Sequence, residues 1–560
     1  MNDHVSMLPP AAQRPFDLTP GTHTGHVLGE LFAIGCAQHP TAPAISDGKT
    51  TYSFATLEQA AQRLADHLSR CGVRCGDRVV VFSVKQVSMP IVAVAIWKLG
   101  AVYVPLDGTI PAERAHALLA RLHPKAIIAV SHGAQWRSKV ATATVPFFDE
   151  VALADIIADQ SPLQDLPLSA PTHNNSPAYI IFTSGSTGEP KGVEISEQSL
   201  LAYFAAHNKV LQFDATSRVF SLAPFHFDVS IEDTLLPLSV GAYVFQFRGI
   251  HAGAILRAAL ARERVTHLIA VSTLLTLITG APGDIKEHCF PALHTVMTGA
   301  EICDPAIINS WKNSFKDLRL FNAYGPTETT IVCMNYEIHI ADPCRSSAYP
   351  IGRPLDGVYA LIIDGDDVIT HPEHSGELWI GGVQVMNRYF DQAEETARKV
   401  VERDGIRYYR TGDICRYDPQ GEIVFLGRTD DEIKLAGRRI HLGEIRQRIL
   451  GLPTVSRTAV SLLDVNGRKQ IAAIIIADDI TALHLVETHL ATHLPDYMRP
   501  SVLAWSPEWS VTSTGKTDEK STVAHLREAL KNTVARYFAW SSQQTFEPID
   551  LSSFKRDPHV

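Results

Sequence analysis

The sequence predicts an α/β fold of more than one domain. A large N-terminal part is built from βαβ-type sheets with a β-rich subdomain, and a small α+β part follows. Three observations point there. The chain has 560 residues, longer than one hydrophobic core sustains, so at least two domains are expected. Short apolar strands alternate with helical patterns as far as about residue 330, which is the signature of parallel sheets. After about residue 350 the texture changes to hairpin-like segments with Gly and Asp turns.

Taken in order, "DRVVVFSV" (Asp77–Val84) reads as a strand, "MPIVAVAIWKLG" as a helix apolar all round and therefore buried, and "AVYVPL" as the next strand. "PKAIIAV", "SRVFSLAPF", "GAYVFQF", "VTHLIAVS", "LHTVMTGAE" and "LRLFNAYG" continue the series. The apolar run "AYIIF" (Ala178–Phe182) leads into a loop rich in Gly, Ser and Thr. Ligands in such sheets collect at loops beyond the carboxyl ends of strands. "YALIIDGDDVIT", "GELWIGG" and "RYYRTGDICRYDPQGEIVFLG" are β-rich, and the charged stretch "RTDDEIKLAGRRIHLGEI" suits a boundary. The expected division is a large core over 1–429 and a small domain over 430–560. Within the latter, "TAVSLLDVNGRKQIAAIIIAD" reads as a hairpin and "DITALHLVETHLATHL" as a helix. The tail is read as one amphipathic helix, "EKSTVAHLREALKNTVARYF", before a polar, disordered end.

Composition excludes several classes. With a formal net charge of -10 and a pI of about 6.2, a basic footprint for nucleic acid is absent. Eight cysteines are scattered with no CxxC pair, so neither a zinc site nor a disulfide framework is expected. No apolar run approaches the ~18 residues of a membrane span. The N-terminal residues lack a secretory signal pattern, so the expected location is the cytoplasm.

The loop in "YIIFTSGSTGEPKGVEIS" (Tyr179–Ser196) has the hydroxyls and bare amides that converge on phosphate oxygens. It is not a Walker loop, which needs a glycine immediately before the lysine; Pro190 precedes Lys191 and Gly192 follows it. Other motifs accompany it in register: "WKLGAVYVPLD" (Trp97–Asp107), "NAYGPTETT" (Asn322–Thr330), "GELWIGG" (Gly376–Gly382), "YRTGD" (Tyr409–Asp413), "GRTDDEIKLAGRRIHLGEI" (Gly427–Ile445) and "STGK" (Ser513–Lys516). Together they resemble the adenylate-forming enzymes: acyl-CoA synthetases, luciferases and the adenylation domains of nonribosomal peptide synthetases.

The resemblance implies a two-step ligase using ATP and Mg²⁺. A carboxylate attacks the α-phosphate, giving an acyl-adenylate and pyrophosphate; a thiol, usually a phosphopantetheine, then takes the acyl group. Two anions must approach to about 3 Å, so positive charge and aligned donors are required. By resemblance Thr183, Ser184, Gly185, Ser186, Thr187 and Gly188 wrap the outer phosphates, while Lys191 either adds charge there or holds the loop. Gly299, Ala300, Glu301, Asn322 and Ala323 line the nucleotide site, with Tyr324 flat on adenine. Thr327 contacts the α-phosphate and Glu328 holds Mg²⁺. Asp413 accepts both ribose hydroxyls; Arg428 either assists near ribose or forms a boundary salt bridge. Lys516, between carboxylate and phosphate, is the expected catalytic lysine. Asp430 is the expected hinge, and Gly437 lines the thioester-forming tunnel once the small domain has rotated.

"APFHFDVSIEDTLLPLSVGA" (Ala223–Ala242) resembles the substrate segment of amino-acid adenylation domains. Asp228, after Phe227, stands where an aspartate pairs with the substrate amino group; the competing reading is a helix cap. The remaining lining positions transfer as Val229, Glu232, roughly Ile269, Val296, Thr298, Ala323, Ile331 and Val332. Glu232 is a second carboxylate in an otherwise apolar set. It points to a diamino or β-amino acid, unless it turns away along the helix.

Some positions depart from the family pattern: Glu519 in "TGKTDEK", Gly108 after "LD", and Arg388 before Tyr389. No "GxDS" follows Lys516 and no "HHxxxD" precedes the loop. The expectation is therefore a freestanding amino-acid adenylation enzyme with a separate phosphopantetheinylated carrier protein as acceptor. The alternatives are an acyl-CoA synthetase using coenzyme A, a ligase that passes its adenylate to an amine, and a catalytically silent binding protein of the same fold.

Overall fold

In the computed structural model, residues 27–140, 144–159, 175–185, 189–508, 519–531, 533, 535–541 and 545–550 are described. The strand series of the first half forms two large sheets. One orders the strands Arg319–Tyr324, Thr295–Gly299, His267–Val271, Arg218–Ser221, Tyr243–Gln246 and Pro43–Ser46 side by side in parallel, with antiparallel strands added at both edges. The other places Pro177–Thr183, Val102–Asp107, Arg78–Ser83 and Ala126–Ala129 in parallel. There Lys191–Ser196 returns antiparallel to Pro177–Thr183. The helix Met89–Lys98 is buried from Met89 through Trp97, as an apolar surface all round requires. Trp97 donates its indole N–H to the Ala178 carbonyl at 2.8 Å, tying that helix to the strand that carries the loop.

From Val358 the strands turn antiparallel, as the Gly and Asp turns predict. Val358–Asp364, Ser375–Gly382, Ile406–Tyr417 and Ile423–Arg428 form one sheet. The hairpin Glu432–Leu435/Arg438–His441 follows, and then a mixed sheet containing Arg457–Val465, Arg468–Ile476 and Val502–Ser506.

The hydrophobic clusters change owner in between. Three draw only on residues up to Phe425, and two only on residues from Ile433 onward. One expectation fails in the tail. The helix Glu519–Leu530 stops short, and Tyr537–Trp540 is a strand beside Val502–Ser506, paired with Phe546–Pro548. Phe538 and Phe546 are buried there; pairing in the sheet has overridden the helical pattern of "NTVARYF".

Candidate active site

Thr183 and Lys191 face each other across the two strands that flank the loop. Gly185 has no room for a side chain, since a Cβ would stand 2.1 Å from the Glu189 carbonyl oxygen. Ser186, Thr187 and Gly188 lie outside the described residues. Lys191 pairs with Glu395 at 2.5 Å, with its ammonium 5.3 Å from the centre of the Tyr389 ring. Glu395 lies on the helix Ala393–Lys399, so Lys191 ties the strand that follows the loop to that helix. The loop is also fastened to the hairpin: Ser184 Oγ donates to the Arg439 carbonyl and accepts from His441 N, both at 3.0 Å.

The substrate segment enters as a helix with a π-turn over Ile231–Leu235, a wide turn often found at functional sites. Asp233 anchors it, accepting from the backbone of Leu222 at 2.7 Å and Ala223 at 2.8 Å. Glu232 and Asp228 thereby reach one cavity of about 110 Å³, together with Thr183, Thr327, Asp413 and Arg439. Burial pushes the Asp228 carboxyl up, opposed by the Thr327 hydroxyl and the Val229 amide. No side-chain cap is made at Ser230, which precedes the turn. Glu232 lines the cavity with Oε1 2.8 Å from His207 Nε2, both side chains buried. Among the described residues, Nδ1 of His207 and the hydroxyls of Tyr179 and Tyr203 are buried without partners, and the Tyr203 ring stacks on His207.

Glu328 is fully buried. The Tyr389 hydroxyl donates to its Oε1 at 2.6 Å, and Arg439 Nη1 to its Oε2 at 2.6 Å. Burial alone would raise its pKa, but the Arg439 guanidinium and the Tyr389 hydroxyl outweigh it and bring it down to about 2. An ionised buried carboxylate fits the divalent cation assigned to Glu328; here both of its oxygens have protein donors. Arg439 Nε lies 2.6 Å from Glu432 Oε2, without the alignment of a hydrogen bond.

A second cavity, of about 370 Å³, is lined by Ala300, Glu301, Asn322, Tyr324, Asp413 and Lys434. Tyr324 OH and Arg428 Nη1 hydrogen-bond the two oxygens of Asp413. Arg428 also clamps Asp430 through Nε at 2.8 Å and Nη2 at 3.0 Å, so one guanidinium joins the carboxylate expected at the ribose to the expected hinge. Gly437 N donates to Glu301 Oε1 at 2.8 Å. Gly299 packs where a Cβ would come within 2.6 Å of the Ala323 carbonyl oxygen. Ala300 is left-handed, with φ +65°, a conformation that costs energy and gathers at functional sites.

Most of the expected nucleotide and substrate residues that are described line these two cavities, but Gly185, Lys191 and Glu328 line neither, and one strand is corrected in register. Val296 and Thr298 do not line the substrate cavity. Side chains alternate along a strand, and in Thr295–Gly299 it is Met297 and Gly299 that face it. Val296 packs into the core on the far side, and Thr298 Oγ1 lies 3.4 Å from Ser272 Oγ there. The expected positions were one residue out of register. Lys516 lies outside the described residues. Tyr389, His207 and Arg439 were not singled out. Arg439 sits inside the "KLAGRRI" motif, two residues past Gly437, whereas nothing in the sequence around His207 marks it.

Residues 32–390 match a family model described as AMP-binding enzyme. Syringomycin synthase SyrB1 of Pseudomonas syringae pv. syringae is 31% identical over 512 residues, covering 89% of this chain and 81% of the relative. A linear gramicidin synthase of Brevibacillus parabrevis is 31% identical over 89% of this chain, which spans only 10% of that relative. Delta-poly-L-ornithine synthetase of Acinetobacter baumannii is 30% identical over 88% of this chain and 36% of its own length. Two solved structures share the fold. Holo-PA1221, an NRPS protein containing adenylation and PCP domains, has TM-score 0.76 and 24% identity over 90% of this chain and 84% of that one. The artificially fused adenylation–PCP di-domain NpsA-ThdA from Klebsiella oxytoca has TM-score 0.74 and 21% identity over 90% and 95%. Among the described residues no helix is long and apolar enough to cross a membrane. With most of the chain matched by the family model and a relative aligned over most of both lengths, the chain belongs to the AMP-binding family of adenylate-forming enzymes.

Proposed function

We propose that the protein adenylates an amino acid with ATP and passes it as a thioester to the phosphopantetheine of a separate carrier protein. The observation that carries the amino-acid reading is Asp228: a carboxylate buried at the cavity wall, with the Thr327 hydroxyl and the Val229 amide as partners and, among the described residues, no cation paired with it. A buried carboxylate is costly without an opposite charge, and a substrate ammonium would supply one. Thr327 and Glu328 follow Pro326 in a single 3₁₀ turn, so the amino-group acceptor and the residues for the α-phosphate and metal adjoin. Mg²⁺, held by Glu328, would supply positive charge against the phosphates. Lys516 would neutralise the approaching carboxylate, and Asp413 with Tyr324 would hold the nucleoside.

The second carboxylate narrows the substrate. Glu232 faces the cavity and, among the described residues, has a histidine as its side-chain partner. That favours a substrate carrying a second amino group. Ornithine, in the name of one of the relatives, belongs to that class. The two PCP-containing structural neighbours support a carrier partner.

We also propose a boundary at residues 429 and 430, with the small domain turning about Asp430. The docked hairpin, with Gly437 held by Glu301, supports reading this arrangement as the thioester-forming one. ATP–pyrophosphate exchange across α-, β- and diamino acids and plain carboxylic acids tests the proposal, with Lys516→Ala as control. Ornithine or diaminobutyrate should lead. No acid-dependent exchange would overturn the enzyme reading, and preference for apolar amino acids would overturn the diamino reading alone.

A further inference from the structure

Beyond Ser184 and Arg439 lies another cavity, of about 320 Å³. Its wall carries five cations, Lys191, Arg398, Lys399, Arg410 and Arg439, against three carboxylates, Glu377, Asp430 and Glu432. Each carboxylate already has an arginine: Glu377 has Arg410 at 3.1 Å, Asp430 has Arg428 at 2.8 Å, and Glu432 has Arg439 at 2.6 Å. Lys191 and Arg398 share Glu395, which lies outside the wall, at 2.5 and 2.7 Å. Lys399 differs. Among the described residues it pairs with no carboxylate, and its Nζ reaches only the Arg410 carbonyl at 3.5 Å. Burial pulls its pKa down, against the more distant carboxylates of Asp430, Glu377 and Glu328. Ser184 and Arg439 wall both this cavity and the substrate cavity, so the two adjoin at Ser184.

We propose that this cavity is a site for inorganic pyrophosphate, and that Lys399 is the cation that holds it. The inference rests on the adenylation reading, which releases pyrophosphate at that loop. A compact, polyvalent anion suits an ammonium better than a planar carboxylate does, because Lys presents a point charge without a preferred fork geometry. With Arg439 on Glu328, a product held here stands outside the reacting cavity.

Calorimetric titration of the whole chain with sodium pyrophosphate tests this, comparing wild type, Lys399→Gln and Lys399→Arg. Wild type should bind, Lys399→Gln should bind about tenfold or more weakly, and Lys399→Arg should keep most of the affinity. In exchange assays Lys399→Gln should raise the KM for pyrophosphate without a matching rise for the amino acid. Equal affinity in wild type and Lys399→Gln overturns the site. So does a uniform rise of all KM values with a lowered Tm, which would mean that Lys399 only ties down the Arg410 carbonyl. Lys399-dependent binding without acid-dependent exchange would uphold the site and overturn the adenylation reading; exchange indifferent to Lys399 would do the reverse.

Discussion

Arg439 donates through Nη1 to Glu328 Oε2 at 2.6 Å, while Tyr389 covers Oε1 at 2.6 Å. The carboxylate assigned to the divalent cation is therefore neutralised by a guanidinium from the hairpin. One charge cannot serve both at full strength, so on the proposed metal role of Glu328 hairpin docking and cation binding would compete. Arg439→Ala should weaken docking, because a buried ion pair broken on one side costs about 3–5 kcal/mol. The thioester-forming half-reaction should fall by about a hundredfold or more. Acid-dependent exchange should survive and reach half its maximum at lower Mg²⁺ concentration. Both half-reactions measured on one preparation check this; equal losses in the two would sink the idea.

Gly437 and Val271 meet so closely that a Cβ on Gly437 would lie 2.6 Å from Val271 Cγ1, and the glycine has φ +73°. Two separate penalties follow from any side chain there: the clash, and about 1–2 kcal/mol for a left-handed conformation. Gly437→Val should hold the hairpin out of the site, impairing thioester formation while sparing exchange. In a Val271→Ala background, Gly437→Ala should recover part of the loss, since the clash is relieved and the backbone strain is not. No recovery in that double variant would mean that contact with Val271 is not what limits docking.

Much of this site was legible because its residues sit inside local motifs whose order in the chain is diagnostic. Asp228 and Glu328 belong to such motifs and stand beyond the carboxyl ends of strands, while Asp413, in another motif, lies within the strand Ile406–Tyr417. What escaped is non-local. Val296 and Thr298 were misplaced because a strand has a period of two and one residue of register reverses its faces; Met297 and Gly299 hold the inner positions. His207 became visible only when a helix 25 residues away in sequence packed it on Glu232. In the tail, "NTVARYF" carries a helical pattern, yet pairing with Val502–Ser506 draws Tyr537–Trp540 into a sheet.

Asp228 and Glu232 should separate in their effects. Asp228→Ala leaves a substrate ammonium without its charge partner and should cost at least about a hundredfold in kcat/KM for every amino acid. Glu232→Gln keeps the size of the side chain and should lower the preference for ornithine over valine by about tenfold, with a smaller effect on valine itself. Exchange kinetics for both substrates in both variants measure this. A uniform loss in Glu232→Gln would assign Glu232 to packing with His207 rather than to selectivity.

Two buried histidines make stability depend on pH. Burial brings His267 down to about 4, helped by neighbouring His294 and Arg319 against Asp214. Burial likewise brings His226 down to about 4, with Arg438 lowering it and Asp107 raising it. Both ordinary values are 6.5, so the folded pKa lies below the unfolded one. Below about pH 6.5 the unfolded chain takes up protons that the folded chain refuses, and stability falls with pH until about pH 4. Each histidine is worth up to about 3 kcal/mol at the acid end of that window. His267 lies in the first parallel sheet with Nε2 3.0 Å from the Leu211 carbonyl oxygen, so glutamine there can keep a donor to that oxygen. His267→Gln should flatten the fall between pH 6.5 and 4 by about one proton's worth. Urea midpoints at pH 7.0, 5.5 and 4.5 measure the slope, and an unchanged slope would show that His267 does not supply that proton.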